Sequence, residues 1–118
     1  MAAKNNTQVV NIKVAELRKR GYQSFADWAK DPKHVYIGRD MTFYVSGTYA
    51  SPLANPYSAK TYGRQKCIEM YIEHLKRSPE LIEKIRELKR NGVTELGCYC
   101  APELCHGDII KYLIEKPE

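Results

Sequence analysis

The chain has 118 residues, of which 43% are hydrophobic and 28% are charged. This length and composition are typical of one compact domain with its own core, and they exclude two full domains or wholesale disorder. No run approaches the ~18 uninterrupted apolar residues of a membrane span, and the first residues lack the apolar segment of a signal peptide. We therefore expect an intracellular protein from a reducing compartment, with no membrane association.

The charge balance is basic, because 19 Lys and Arg residues outnumber 14 Asp and Glu residues and give a net charge of +5. Such a balance favours anionic partners, including nucleic acid and phosphorylated metabolites. Many of the charges alternate in sign along helical patterns, as at Glu83, Lys84 and Glu87. A solvated helix face with a modest positive surplus is therefore the simpler interpretation of the charge.

The first half of the chain predicts short elements separated by turn residues. Residues 1–7 are expected to form a disordered tail, and residues 8–118 a single domain. β-Branched runs predict strands, and helix formers followed by Gly21 predict a helix that ends there. The predicted elements are a strand at 9–12, a helix at 15–20, a helical turn at 25–29 after Ser24, a strand at 35–39, and a tyrosine-rich loop at 40–63 with a short strand at 42–45.

Helical periodicity is clearest in the second half. Apolar residues recur at i, i+3, i+4 and i+7 from Ile68 to Leu75, which predicts a helix over 64–77. Ser78 and Pro79 suit the N-cap and first position of a helix over 79–90. A strand at 94–100 and a C-terminal helix striped by Ile109, Ile110, Leu113 and Ile114 follow. This alternation predicts an α/β fold with a small, mainly parallel sheet covered by helices.

Residues 98–108 hold the densest cluster of reactive side chains, with three of the four cysteines. The cluster lies where a predicted strand runs into a helix, and helix N-termini at such places attract anions. The helix field favours the thiolate form of Cys105, which makes it the candidate nucleophile, with His106 as the acid–base group. Asp108 is the third candidate catalytic residue, where it would either cap the helix or orient a substrate hydroxyl. Gly107 would let a ligand or another part of the chain approach closely.

Two other interpretations of this cluster stay open. Cys98, Cys100, Cys105 and His106 are acceptable zinc ligands, but their spacing differs from paired C-x2-C knuckles. We therefore predict free thiols, no bound metal and no cofactor. In the third interpretation the cysteines are small buried hydrophobic residues, as Cys67 is expected to be.

Four segments carry a resemblance to a known family, and they span Val35 to Arg39, Leu53 to Tyr57, Gly97 to Pro102 and Cys105 to Ile110. Together they resemble family 4326 of the domains of unknown function, over roughly residues 8–115. Members of that family occur in bacteria, phages and large DNA viruses. The resemblance implies a small α/β domain and brings no established reaction. The chain departs from the family at Ala54, where members tend to have glycine.

The matched segments also supply candidate ligand-binding residues. Arginine presents a planar fork suited to phosphate, and an Asn before proline is biased toward extended geometry. The predicted ligand-binding residues are Gly38, Arg39, Asn55, Arg64, Cys98 and Cys100. The primary hypothesis is a pocket for a nucleotide or another phosphorylated small molecule, and the sequence leaves open whether the protein is an enzyme.

The alternative is a non-enzymatic, basic interaction protein. Five tyrosines between Tyr36 and Tyr62 are interleaved with basic residues, a pattern that suits base stacking or a protein interface such as a homodimer. If the source is viral, such a protein would be packaged in the virion or act in the infected host cell.

Overall fold

The fold is taken from a computed structural model that describes residues 7–39, 41, 47–57, 59–99 and 105–116. Within these residues, three strands and six helices follow one another along the chain. Their bounds are β1 (Gln8–Asn11), α1 (Val14–Lys19), α2 (Phe25–Trp28), β2 (His34–Tyr36), α3 (Ala59–Tyr62), α4 (Arg64–Lys76), α5 (Pro79–Arg90), β3 (Glu95–Cys98) and α6 (His106–Glu115). The predicted strand at 42–45 falls outside the described residues.

The three strands form one parallel sheet in the order β1-β3-β2. Leu96 of the central strand is paired with Val9 on one side and with Val35 on the other. Strands that run parallel in one sheet need crossover connections along the chain, which α1 and α2 supply between β1 and β2, and α3 to α5 supply between β2 and β3. The predicted α/β fold with a small parallel sheet is confirmed. All three carboxyl ends therefore lie at the same edge of the sheet.

The sheet is covered on both faces. Leu96 and Cys98 face a cluster that includes Tyr71 of α4, Ile85 of α5 and Ile110 of α6. The other face packs against residues of α1 and α2, with Leu17, Phe25 and Trp28 buried. Gly97 belongs to this second face, and a Cβ there would lie 2.5 Å from Trp28 Cη2. The apolar stripes predicted for the three long helices thus lie in one core.

Glu95 ties the start of β3 to the α1–α2 side. Trp28 Nε1 donates to Glu95 Oε1 at 2.8 Å, and the Arg20 guanidinium donates to both carboxylate oxygens. Burial acts to raise the pKa of Glu95, but these hydrogen bonds and the nearby charges of His34 and Arg20 outweigh it, so the pKa is lowered. The carboxylate therefore stays ionised at neutral pH. It lies at the opposite end of the strand from Cys98.

The structure corrects several predicted boundaries. Residues 59–62 form the short helix α3 inside the predicted loop. None of its side chains is buried, so the sequence carries no apolar stripe that would indicate a helix there. β2 and β3 are shorter than predicted, because after the bond from Ile37 N to Gly97 O the chain leaves the ladder, whereas β1 has the predicted length and begins one residue earlier. Ser78 occupies the N-cap of α5, but its side chain makes no capping hydrogen bond. Thr7, assigned to the tail, is buried and donates to Val93 O at 2.8 Å.

The helices of the described residues include none long and apolar enough to cross a bilayer.

Candidate functional site

A cleft of about 610 Å³ opens at the carboxyl ends of β2 and β3, and we call it the strand-end cleft. Residues from three parts of the chain meet there: the ends of the two strands, the segment that leads into α4 together with the first turns of α4, and the start of α6. The lining includes Tyr36, Gly38, Arg39, Asn55, Tyr57, Lys60, Arg64, Cys67, Cys98, Tyr99, Cys105 and His106.

Seven of the nine candidate site residues line this cleft. They are distant in sequence and are brought together by the parallel topology: Gly38, Arg39, Asn55, Arg64, Cys98, Cys105 and His106. Asp108 is not part of the lining, and Cys100 falls outside the described residues. The fold therefore assembles seven of the nine candidate residues in one cleft.

Cys105 and Asp108 build the start of α6. The Asp108 carboxylate accepts a hydrogen bond from Cys105 N at 2.9 Å, and Cys105 Sγ accepts one from Gly107 N at 3.3 Å. Together these bonds form a capping box, which satisfies N–H groups that a helix start otherwise leaves unpaired. Of the two roles predicted for Asp108, the structure shows the capping role.

Gly107 lies very close to the sheet, and the absence of a Cβ lets α6 pack against it. A Cβ there would lie 2.9 Å from both Val9 Cγ1 and Ile37 Cδ1. The close approach predicted at this glycine is thus made by strand side chains. The absence of a side chain at Gly107 therefore allows the N-terminus of α6 to lie close to the end of β2.

His106 fastens the start of α6 to the end of β2. Its Nε2 lies 2.7 Å from Ile37 O, and since a carbonyl oxygen only accepts, Nε2 carries a proton. The ring is 8% exposed and packs edge-on against Tyr71, with ring centroids 5.2 Å apart. In the neutral imidazole Nδ1 is therefore the basic nitrogen, the atom that would take up or release a proton.

Tyr71 supports this arrangement from α4. Its hydroxyl donates to Leu53 O at 2.7 Å, and the residue is fully buried. Burial, with a smaller contribution from Cys105, raises the pKa of Tyr71. The phenol therefore stays neutral at any ordinary pH and holds the segment before α3 against the core.

The sulfur atoms of Cys98 and Cys105 lie 3.4 Å apart, and each residue is 2% exposed. Cys67 is also buried, and its Sγ donates to Arg64 O at 3.2 Å, which fits the packing role predicted for it. These three cysteines are free thiols. Over the parts of the chain that the structure describes, no three His, Cys, Asp or Glu side chains are grouped to hold a metal ion.

The charged side chains of the described cleft lining are all cationic. Arg39 extends from the end of β2, Lys60 from α3 and Arg64 from the first position of α4, while no Asp or Glu lines the described part of the cleft. Arg39 and Arg64 were predicted as site residues, whereas Lys60 was noted only as part of the basic, tyrosine-rich segment. The described lining therefore brings three cationic side chains together in one cleft.

Asn55 and Gly38 have structural roles in the cleft wall. Asn55 Oδ1 accepts from Tyr57 N at 3.0 Å, and its Nδ2 donates to Cys67 O at 3.4 Å, so the amide shapes a turn and docks it on α4. A Cβ on Gly38 would lie 2.5 Å from the Tyr36 hydroxyl, which donates to Arg39 O. Tyr36 therefore occupies the space next to Gly38.

Aromatic rings form much of the remaining wall. Tyr36 packs edge-on against Tyr49 and Tyr99, with centroids 5.5 and 6.5 Å apart. The Tyr99 hydroxyl is buried and has no hydrogen-bond partner in the described part of the chain, and burial raises its pKa. Tyr99 was not among the predicted site residues. It packs against the cluster on the α1–α2 face, opposite Cys98 as strand alternation expects, and it lines the cleft together with Tyr36 of that cluster.

A parallel sheet covered on both faces, with a basic cleft at its strand ends, makes this chain a small α/β protein with a ligand-sized cavity. The family model described as Domain of unknown function (DUF4326) matches residues 21–116, so the chain belongs to that family. This confirms the predicted family and leaves β1 and α1 before the matched region. Neither a curated protein nor a solved structure matches the chain significantly.

Proposed function

We propose that the strand-end cleft binds a phosphorylated small molecule, with a nucleotide as the favoured class. The observation that carries the proposal is the convergence of Arg39, Lys60 and Arg64 on a cleft whose described lining holds no carboxylate. The volume of about 610 Å³ lies within the usual range for small-molecule sites, about 300–1,000 Å³. Cleft size and charge thus agree on a small anionic ligand.

The helix directions support a phosphate group. Arg64 is the first residue of α4 and His106 the first of α6, so the positive ends of both helix dipoles point to the cleft. An arginine fork can hold two phosphate oxygens at once, which a lysine ammonium cannot do with the same geometry. Arg39 and Arg64 are the expected phosphate contacts.

The tyrosines support a nucleotide over a bare phosphate. Tyr36, Tyr57 and Tyr99 line the cleft, and base stacking on an aromatic ring is worth about 1–3 kcal/mol. The Tyr99 hydroxyl, which has no hydrogen-bond partner among the described residues, is a polar atom that a ligand could satisfy. A sugar phosphate would use the cations alone, and would therefore bind more weakly than a nucleotide.

A thermal-shift screen tests the proposal. The panel holds nucleoside mono-, di- and triphosphates, sugar phosphates and inorganic phosphate, each nucleotide paired with its unphosphorylated nucleoside. A ligand at about 100 times its Kd should raise the free energy of unfolding by about 2.7 kcal/mol. We expect a nucleotide to stabilise the protein more than its nucleoside and more than inorganic phosphate. No shift with any phosphorylated compound would refute the proposal.

Charge-matched variants locate the binding. Arg39→Gln and Arg64→Gln should each weaken a nucleotide identified in the screen about 10- to 100-fold, the value of a lost charged hydrogen bond. Arg77→Gln is the control, because Arg77 is exposed at the other end of α4 and outside the cleft lining. Equal weakening by all three variants would mean that net charge, and not the cleft, drives binding.

Binding to an oligonucleotide but to no mononucleotide would replace this proposal by the nucleic-acid alternative. In that case affinity should fall steeply with salt, because each neutralised phosphate releases counterions.

A further inference from the structure

We propose that Cys98 and Cys105 form a redox-active dithiol that hydrogen peroxide oxidises to an intramolecular disulfide. The observation that carries this inference is the 3.4 Å separation of the two sulfur atoms. A disulfide requires about 2.05 Å, so closure needs a relative movement of about 1.4 Å. The inference does not depend on which ligand the strand-end cleft binds.

The two thiols differ in their surroundings, which assigns them different roles. Cys105 is the N-cap of α6, where Gly107 N donates to its sulfur and the helix dipole favours negative charge. The Asp108 carboxylate, bonded to Cys105 N, partly opposes that effect. Cys98 ends β3 and lies outside the helix cap. Cys105 is therefore the attacking thiolate, and Cys98 is the thiol that resolves the product.

Access to the pair is through the cleft. Both cysteines are 2% exposed, yet both line the strand-end cleft, so a small oxidant can approach where a protein thiol cannot. Cys67 lines the same cleft, but its Sγ donates to Arg64 O within α4. Oxidation of the pair is thus expected to be selective for a molecule the size of peroxide.

The chemistry balances with hydrogen peroxide as the only oxidant. The Cys105 thiolate attacks one peroxide oxygen, the O–O bond breaks, and the departing hydroxide takes up a proton to give water and a sulfenic acid. Cys98 then attacks the sulfenic sulfur, the S–S bond forms, and a second water leaves with the Cys98 proton. Two thiols lose two electrons in total, and peroxide is reduced to two waters.

Peptide mapping of the full-length wild-type protein tests the inference. The reduced chain is treated with hydrogen peroxide, its remaining thiols are blocked with N-ethylmaleimide, and it is digested after Glu95, Tyr99 and Glu103. We expect a linked pair of peptides carrying Cys98 and Cys105, a mass loss of about 2 Da for the intact chain measured before blocking, and full reversal by dithiothreitol. Retention of all four free thiols, or a bond that uses Cys100 in place of Cys98, would overturn the inference.

Variants separate the two roles. Cys98→Ser should stop at the sulfenic acid, trapped by dimedone on Cys105, whereas Cys67→Ser should form the disulfide as the wild type does. Dimedone label on Cys67, or normal disulfide formation in Cys98→Ser, would contradict the assigned roles. If a variant fails to fold, the wild-type peptide map alone decides. Nucleotide binding is measured separately, so either proposal can fail without the other.

Discussion

Replacing Gly107 by alanine tests why the chain has no side chain at this position: either α6 must pack closely against the sheet, or a ligand must approach the backbone. The new Cβ would lie 2.9 Å from both Val9 Cγ1 and Ile37 Cδ1, and 3.3 Å from Cys105 Sγ. Carbon atoms pack best at about 3.5–4.0 Å, so both hydrocarbon neighbours must yield by several tenths of an ångström. Ile37 is fully buried, and therefore has little room to do so.

The sign of the effect follows from comparing two contributions to the free energy of unfolding. Overpacking a tight interior costs about 1–3 kcal/mol. Alanine by itself raises the free energy of unfolding by about 0.5–1 kcal/mol relative to glycine, because it restricts the unfolded chain and favours the helix. Because two carbon neighbours lie at 2.9 Å and Ile37 is fully buried, the clash falls in the upper part of its range and exceeds this gain, so Gly107→Ala should lower the free energy of unfolding by about 1–2 kcal/mol. For a domain of this size, that is a fall in Tm of about 4–8 °C.

Urea denaturation followed by the fluorescence of the single tryptophan, Trp28, measures the effect, since that ring is fully buried in the fold. Ile37→Val removes only the Cδ1 atom and should by itself cost about 0.5–1.5 kcal/mol. Because it opens the space that the new Cβ needs, the double variant should lose less than the sum of the single variants by about 0.5–1 kcal/mol. A Gly107→Ala protein as stable as the wild type or more so, with additive effects, would refute packing as the reason for this glycine.

Two further predictions concern side chains that anchor the fold. Asp108→Ala removes the acceptor for Cys105 N and should lower the free energy of unfolding by about 0.5–2 kcal/mol in the same urea assay, with Asp108→Asn losing less. Because folding lowers the pKa of Glu95, the unfolded state binds its proton first as the pH falls, so the stability from Glu95 is present above about pH 4.3 and is lost below it. Urea titrations between about pH 3 and 6 measure how the free energy of unfolding changes with pH. Glu95→Gln should show a smaller fall toward low pH than the wild type. Glu83→Gln should fall nearly as the wild type does, because the ion pair of Glu83 with Arg90 is exposed to solvent. Equal flattening in both variants would contradict the role given to Glu95.

The long helices and the parallel sheet could be predicted because their signals are local. The stripe from Ile68 to Leu75 reports a helix face directly, and the alternation of strands with helices favours a parallel sheet. The place where the strand at Cys98 gives way to the helix at His106 was predictable for the same reason. Parallel topology then explains why residues from separate segments meet at one edge.

The roles of individual cleft residues depended on contacts that no local pattern encodes. His106 donates to Ile37 O, which lies 69 residues earlier in the chain. The Tyr36 ring fills the space beside Gly38, a contact that the sequence pattern does not indicate. Tyr99 was missed because its place at the cleft follows from its packing beside Tyr36, which lies 63 residues earlier in the chain. In each case the deciding partner is set by tertiary packing.

The measurement that tests the central claim most directly is an amide chemical-shift titration of the ¹⁵N-labelled protein. The probe is a mixture of the four ribonucleoside monophosphates, with the corresponding nucleosides as the matched control. We predict saturable shifts at the amides of Gly38, Arg64 and His106, much smaller shifts with the nucleosides, and none at the amide of Glu83, an exposed residue of α5. Absence of shifts around the strand-end cleft, or shifts spread evenly over the exposed cations, would contradict the assignment of the cleft as a phosphate-binding site.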